Sequence, residues 1–281
     1  MNFTPPAIDY AALSPMIVVF AAAIVSVLVE AFAPRTVRRF LQLLIVFGAL
    51  ITAGVLIILN AGTRTVTGGG AVVIDGPALV LMGTIVVLSI LGAALMAERS
   101  IDPVGDAFAA RASSLPGSED ERQLTQRGYL QTEIWPLTLF AVLGMLLFVT
   151  ANNLLLMFVA LEIISLPLYL MTGMARRRRL LSQEASLKYF LLGVFASAFY
   201  LYGAALVYGY SGSIFFPEIA QALTSKPSES IVVFIGMGML IIGPLFKIGA
   251  VPFHQWVPDV YQGAPTAVVG FMAATVKVAA F

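Results

Sequence analysis

The 281-residue sequence contains no cysteine, a single histidine and few charged residues. Without cysteine the chain forms no disulfide and offers no thiolate ligand, which excludes a cysteine-bound iron–sulfur cluster. A lone histidine, His254, argues against a haem or a histidine-based metal site. Charged residues make up 11% of the chain and hydrophobic residues 59%, whereas a soluble domain carries about 25% charged residues. The composition therefore predicts an all-α, polytopic membrane protein with no cofactor or metal of its own.

Eight apolar runs are long enough to cross a bilayer, which takes about 20 residues of α-helix. They are Leu13–Phe32, Phe40–Leu59, Pro77–Ala97, Ile134–Ala151, Leu154–Met174, Leu187–Tyr208, Ile231–Val251 and Gly263–Phe281. The first run follows a segment without a basic n-region, so we expect it to remain as a membrane anchor rather than to be a cleaved signal. The eighth run stops at Phe281 with no polar cap, so we expect the chain to be the N-terminal part of a longer protein.

The basic residues of the loops predict the orientation of these spans. Three alternate loops carry eleven arginines: Arg35, Arg38, Arg39, Arg99, Arg111, Arg122, Arg127 and Arg176 to Arg179. The loops on the opposite side carry only Arg64 and Lys226. By the positive-inside rule, the arginine-rich loops face the cytoplasm and the N-terminus lies outside.

The longest loop divides the chain into three parts. Residues 1–97 hold three predicted spans, residues 98–132 form a cytoplasmic loop, and residues 133–281 hold five predicted spans. The loop contains the polar stretch SSLPGSEDERQLTQRG, which predicts a flexible, solvated segment. We favour a tolerated insertion over a docking surface for a partner. The arginine run at 176–179 is interpreted as a topology anchor, with binding of a lipid headgroup or a partner as the alternative.

Five charged residues lie inside the apolar runs, and we assign no function to one of them, Glu30, which is near the cytoplasmic end of the first run; the other four need an explanation. Glu162 is about ten residues from either end of its run, Lys188 is near the cytoplasmic end of the next, and Lys247 and Lys277 lie in the last two. A charge at mid-bilayer costs roughly 3 kcal/mol or more, so it is retained where it faces protein or water. A lysine shielded from water can exchange its proton, whereas an arginine stays protonated. We interpret all four as proton-carrying groups. A structural ion pair is the alternative for Glu162, and simple snorkelling is the alternative for Lys188.

The seventh apolar region is too long for one straight span. From Ile231 to Gln262 it has 32 residues, which as a helix would measure roughly 48 Å against a bilayer core of about 30 Å. Its candidate breaks are Gly243–Pro244, Gly249 and Pro252. We expect a discontinuous helix, or a full span followed by an interfacial segment. His254 is interpreted as a proton relay or as a hydrogen-bonding cap of the broken helix, and Asp259 as an interfacial, structural residue.

The last region carries a family resemblance. The stretch FKIGAVPFHQWVPDVYQGAPTAVVGFMAATVKVAAF at 246–281 resembles the proton-translocating antiporter-like membrane subunits of respiratory complex I. The hallmark of that family is a lysine-bearing broken seventh helix, then a VPFHxWLPDAYxxAPTPVSA-like run, then an eighth helix with another lysine. The upstream LEIISLPLYLM and EASLKYFLLG resemble the family's fifth and sixth helices. The resemblance covers the chain from Glu133 onward and is weaker before it, and the long loop at 98–132 is not typical of the family.

The resemblance implies an architecture and a set of site residues. The family's subunit has fourteen helices with two inverted five-helix repeats, and this chain would hold the first three helices and the first repeat. Glu162 matches the family's fifth-helix glutamate, Lys188 its sixth-helix lysine, Lys247 its broken-helix lysine and Lys277 its eighth-helix lysine. His254 falls in the broken-helix region of the motif. These five residues would take part in proton translocation.

The resemblance also implies a function and partners. The complex would couple electron transfer from NADH to quinone to proton translocation across the bacterial cell membrane. FMN and the iron–sulfur clusters would belong to other subunits, which together with the lipid bilayer would be the partners of this chain; no nucleic acid is expected. The alternatives are a subunit of a multisubunit cation/proton antiporter or of a membrane-bound hydrogenase, and a non-pumping membrane scaffold.

Overall fold

The computed structural model describes residues 8–99, 107–111, 113–127, 129–225 and 230–281. Helices dominate this part of the chain: α1 Tyr10–Phe32, α2 Arg35–Leu59, α3 Gly76–Ala97, α4 Glu119–Gln126, α5 Ile134–Thr150, α6 Leu154–Thr172, α7 Arg179–Ser211, α8 Phe216–Ser225, α9 Ser230–Ile248, α10 Trp256–Gly263, α11 Thr266–Phe271 and α12 Lys277–Ala280. A π-helix, Met272–Val276, joins α11 to α12. Two short strands between α2 and α3, β1 Thr65–Thr67 and β2 Val72–Ile74, pair antiparallel.

Six of the described helices are long and apolar enough to cross a membrane, namely α1, α2, α3, α6, α7 and α9. Two further apolar helices are shorter: α5, with 17 residues, and the segment Thr266–Ala280. All eight coincide with the apolar runs of the sequence. The predicted fold class, a polytopic helical membrane protein, is confirmed.

Polar caps mark where three of the spanning helices begin. Asp9 caps α1, Asp75 caps α3 and Asn153 caps α6, each through its side-chain oxygen. These oxygens accept backbone N–H groups that have no partner within the helix, a contact that typically contributes about 1 kcal/mol. The three capped helices are among those that the arginine distribution predicts to run from outside to inside.

Glycines allow the site-bearing helices to pack closely. A Cβ on Gly203 of α7 would lie 2.6 Å from the carbonyl oxygen of Gly236 in α9, and a Cβ on Gly144 of α5 would lie 2.6 Å from the amide nitrogen of Ile164 in α6. Small residues at such points let helix backbones approach each other in a membrane. The helices that carry Lys247 and Glu162 are therefore held tightly against their neighbours.

The loop at 98–132 is packed where the structure describes it around Phe108, so the prediction of a flexible, solvated segment is wrong there. Phe108 is fully buried. The Ala109 amide donates to the Met174 carbonyl at 2.8 Å, and the Arg176 amide donates to the Ala107 carbonyl at 2.9 Å. The polar composition of the loop does not indicate that Phe108 is buried or that two backbone hydrogen bonds attach the loop to the chain before α7. We term residues 107–111 and 113–127 the strap.

An ion pair also connects the strap to α7. The Nε atom of Arg179 lies 3.0 Å from Oε1 of Glu121 in α4, and the Arg179 side chain is only 6% exposed. One arginine of the run at 176–179 is thus a buried internal contact as well as a candidate topology anchor. Arg179 is also the first residue of α7, which begins eight residues before the predicted start of its span at Leu187.

The seventh predicted span is broken, at residues 249–255 rather than at Gly243–Pro244. α9 continues through Pro244 to Ile248, and Gly249 then takes a φ of +76°. This left-handed conformation favours glycine and ends the helix. The chain becomes helical again at Trp256, and the break falls at Gly249 and Pro252, two of the three predicted positions.

Candidate functional site

Glu162 lies in the middle of α6 and is partly buried. Its Oε1 atom accepts a hydrogen bond from the hydroxyl of Ser197 on α7. A hydroxyl can donate and accept, so Ser197 orients the carboxylate without supplying a countercharge. Sequence reasoning missed Ser197, because a serine in an apolar helix carries no charge that demands an explanation.

Lys247 stands in the last turn of α9 and is 3% exposed. Its Nζ atom donates to the Tyr189 hydroxyl at 3.3 Å and lies 5.1 Å from the ring centroids of both Tyr169 and Tyr189. The Phe246 ring is 5.9 Å away. We term these three rings the aromatic box. Cation–π contacts contribute up to about 2 kcal/mol in a desolvated setting, which offsets part of the cost of burying an ammonium group.

The aromatic box is closed by Trp256, the first residue of α10. Its indole ring stacks on Tyr189 with the centroids 4.5 Å apart. Its N–H group donates to the carbonyl oxygen of Phe246 at 2.9 Å. This bond holds α10 against the last turn of α9, across the break in the seventh span.

Glu162 and Lys247 both lie against α7, which they contact through Ser197 and Tyr189. A Cβ on Gly243, one turn before Lys247, would lie 3.2 Å from the side chain of Leu161. Tyr169, two turns after Glu162 on α6, contributes its ring to the box around the lysine. Among the described residues Lys247 forms no ion pair with a carboxylate. The region where α6 and α9 pack on α7 thus holds one acid and one base that form no salt bridge with each other.

Lys188 belongs to a separate, half-exposed cluster. Its Nζ atom lies 2.7 Å from Oε1 of Glu184 and 2.9 Å from Oδ2 of Asp259. The second contact joins α7 to α10 and gives Asp259 a specific partner. Glu184 was missed from the sequence, although a glutamate four residues before a lysine shares its helix face. Its side chain is 57% exposed, so water screens the pair.

Lys277 and His254 lie apart from the aromatic box. Lys277 follows the π-helix, is partly buried, and has its Nζ atom 5.9 Å from the ring centroid of Tyr261. His254 lies in the break and is exposed. Within the described part of the chain its imidazole has no hydrogen-bond partner, while its carbonyl accepts the Val257 amide at 2.9 Å. Of the five predicted residues, Glu162 and Lys247 both lie where their helices pack on α7, and the other three have separate surroundings.

The comparison with known proteins covers the same region. Residues 151–281, which include all five predicted site residues, match the protein family described as NADH:quinone oxidoreductase/Mrp antiporter, TM. The chain is 53% identical to the NADH-quinone oxidoreductase subunit N of Rhodococcus opacus, across 98% of this chain and 54% of that protein. The chain spans about half the length of the curated relatives it matches.

Solved structures give the same fold. A chain of respiratory complex I from Thermus thermophilus, solved with bound aureothin, is 33% identical with a TM-score of 0.71, covering 95% of this chain and 51% of that chain. A chain of the Mrp complex from Dietzia sp. reaches a TM-score of 0.70 at 22% identity, covering 97% of this chain and 47% of that chain, which is a likeness of fold alone. With half of the sequence identical to its curated relatives and the broken lysine-bearing helix in place, residues 151–281 of the chain belong to the antiporter-like membrane family described as NADH:quinone oxidoreductase/Mrp antiporter.

Proposed function

We propose that this chain is part of a membrane subunit of NADH-quinone oxidoreductase and that it takes part in proton translocation driven by electron transfer from NADH to quinone. The observation that carries the proposal is Lys247, a buried lysine at the end of a broken helix, enclosed by aromatic rings and facing the helix of Glu162. Charged groups at this depth of a membrane protein mark ion or proton pathways. The identity to curated relatives of that name supports this complex over an antiporter complex.

In the proposed mechanism Lys247 takes up and releases the translocated proton. The Tyr189 hydroxyl at 3.3 Å is within reach of proton exchange with Nζ. Glu162 is the second protonatable group of this region, held in place by Ser197. Since charges interact strongly in a low-dielectric interior, a change in protonation at one of these groups alters the energy of protonation at the other. Charge rearrangement elsewhere in the complex could thus drive uptake and release.

The remaining predicted residues take proposed roles at the edges of this site. Lys188, with Asp259, lies at the half-exposed end of the α7–α10 contact and would exchange protons with the predicted cytoplasmic side. His254, exposed in the break, would relay protons there. Lys277 would pass them toward the second half of the full-length subunit. We place FMN, the iron–sulfur clusters and the quinone site in other subunits of a bacterial membrane complex.

The test uses the full-length subunit in the intact complex, in sealed inverted membrane vesicles. NADH oxidation and proton uptake are recorded together for Lys247→Met and for Glu162→Gln. We expect fewer protons per NADH, with the complex still assembled. Lys226→Met is the matched control, because Lys226 is the one lysine outside the apolar runs of the sequence.

Two outcomes would contradict the proposal. An unchanged ratio of protons to electrons in both variants would leave the chain as a scaffold that tolerates neutral side chains. Co-purification with cation/proton antiporter or hydrogenase subunits, and without NADH- and quinone-binding ones, would assign the same site to a different complex.

A further inference from the structure

A cavity of about 440 Å³ lies away from the proton site, where the ends of α1, α2 and α5 meet the strap. Five arginines line it: Arg35, Arg38, Arg39, Arg111 and Arg127. We term it the arginine cavity. The positive-inside rule places it at the cytoplasmic boundary of the membrane.

The two glutamates that line the arginine cavity are already engaged. Oε1 of Glu30 lies 2.8 Å from Nη1 of Arg38 and accepts the Thr132 hydroxyl at 2.9 Å. Oε2 of Glu133 accepts the side-chain amide of Gln131 at 2.9 Å. Glu30 therefore neutralises Arg38, and Asp120, whose Oδ2 atom lies 3.6 Å from Nη1 of Arg111, neutralises a second arginine. Among the described lining residues, Arg35 and Arg127 then exceed the one remaining carboxylate, Glu133, and leave the cavity with a positive surplus.

Two of the arginines supply that surplus directly. Neither Arg35 nor Arg127 has a carboxylate partner among the described residues, and both are exposed. The guanidinium carbon of Arg35 lies 4.5 Å from the ring centroid of Tyr129. Stacking of this kind fixes the plane of a guanidinium group and leaves its N–H edge free for bidentate binding of a phosphate.

Apolar side chains flank the same arginines along the chain. Phe32 is 82% exposed, Phe40 is 69% exposed and Leu44 is 59% exposed. They lie at the end of α1 and in the first turns of α2, on either side of Arg35. A ligand that satisfies both features carries a phosphate for the arginines and hydrocarbon for the aromatic and aliphatic side chains. A free phosphate would contact only the arginines.

We propose that the arginine cavity binds the phosphate of an anionic phospholipid, whose acyl chains lie along the exposed faces of α1 and α2. The lipid joins the strap to the spanning helices, because its phosphate meets Arg35 of α2 and Arg127 beside α4 at once. The site is separate from the proton pathway and does not depend on the proposed function.

The test is the binding of phosphatidylglycerol to the delipidated full-length protein in its complex, measured by native mass spectrometry, with phosphatidylcholine as the reference lipid. The double variant Arg35→Gln, Arg127→Gln should bind phosphatidylglycerol roughly 30-fold more weakly, which corresponds to about 2 kcal/mol for two arginines at a membrane surface. Binding of phosphatidylcholine should not change. Arg64→Gln is the matched control, since Arg64 is an exposed arginine in the loop between α2 and α3, on the predicted opposite side.

Equal affinity of the wild type and the double variant for phosphatidylglycerol would overturn the proposal. Complete displacement of the lipid by millimolar inorganic phosphate would also overturn it, because the cavity would then be a small-anion site. If the glutamine variant does not assemble, the double variant Arg35→Lys, Arg127→Lys decides the matter. It keeps the charge but loses the bidentate geometry, so we expect a partial loss of affinity, and an unchanged affinity contradicts the role of the guanidinium groups.

Discussion

The ion pair between Glu121 and Arg179 predicts that neutralising Glu121 loosens the strap. Oε1 of Glu121 lies 3.0 Å from Nε of Arg179, and Oε2 accepts the Gly117 amide at 2.7 Å. The two side chains are 18% and 6% exposed, so water screens the contact poorly. Glu121→Gln keeps the shape of the side chain and removes its charge. Removing one partner of a buried ion pair costs about 3–5 kcal/mol. Because Glu121 is 18% exposed, we expect a smaller loss of about 2 kcal/mol, which makes the open strap roughly 30-fold more populated.

Amide hydrogen exchange in the full-length protein, reconstituted in membranes, measures this opening. The reporters are the amides of Ala109 and Arg176, whose hydrogen bonds attach the strap to the chain before α7. Both should exchange roughly 30-fold faster in Glu121→Gln. Glu119→Gln on the same helix is the control, because its 4.0 Å pair with Arg122 is 71% and 68% exposed and such pairs contribute about 0–1 kcal/mol. Equal exchange rates in the two variants would refute the idea that the buried pair holds the strap.

Two further predictions concern stability, measured as thermal unfolding of the detergent-solubilised full-length protein. Gly203→Ala should destabilise it by about 1–3 kcal/mol, because the new Cβ would meet the main chain of α9 at 2.6 Å. Gly209→Ala in the same helix is the control: its Cβ meets nothing within 4 Å, and it should be neutral or stabilising by up to about 1 kcal/mol. A greater loss of stability in Gly209→Ala than in Gly203→Ala would contradict the packing. Trp256→Phe keeps a ring against Tyr189 but removes the 2.9 Å bond to the Phe246 carbonyl, so we expect a loss of about 1–3 kcal/mol; an unchanged unfolding temperature would mean that the bond does not hold the broken helix together.

The spanning helices follow from the sequence because apolar length alone decides whether a segment crosses a bilayer. The packing of the strap could not be predicted from the sequence, because it depends on contacts between residues far apart in the chain. Phe108 is one apolar residue in a polar loop, and its burial against the chain before α7 is set by tertiary packing. The contact of Arg179, the first residue of α7, with Glu121 also depends on tertiary packing. Local composition describes neither of these contacts.

For the candidate site too, the sequence predicts some residues and misses others. Glu162 and Lys247 were found because a charge in an apolar run is costly and has to be explained. Ser197 and Tyr189 were not, because hydroxyl and phenol groups are common in membrane helices and cost little. Only the packing of α6, α7 and α9 shows that these two groups are the direct partners of the charged pair. The roles assigned to the five charged residues in proton transfer stay predictions.

The π-helix at Met272–Val276 changes which side of its helix Lys277 faces. Each residue of an α-helix advances the chain by about 100° around the axis, and a π turn contains one residue more than an α turn. Lys277 is therefore rotated by about 100° from the position that an unbroken α-helix starting at Thr266 would give it, and in this orientation its Nζ atom lies 5.9 Å from the Tyr261 ring centroid. The direction of this lysine is set by the number of residues in a single turn, so deleting one residue there would redirect the ammonium group while leaving every side chain of the site chemically intact.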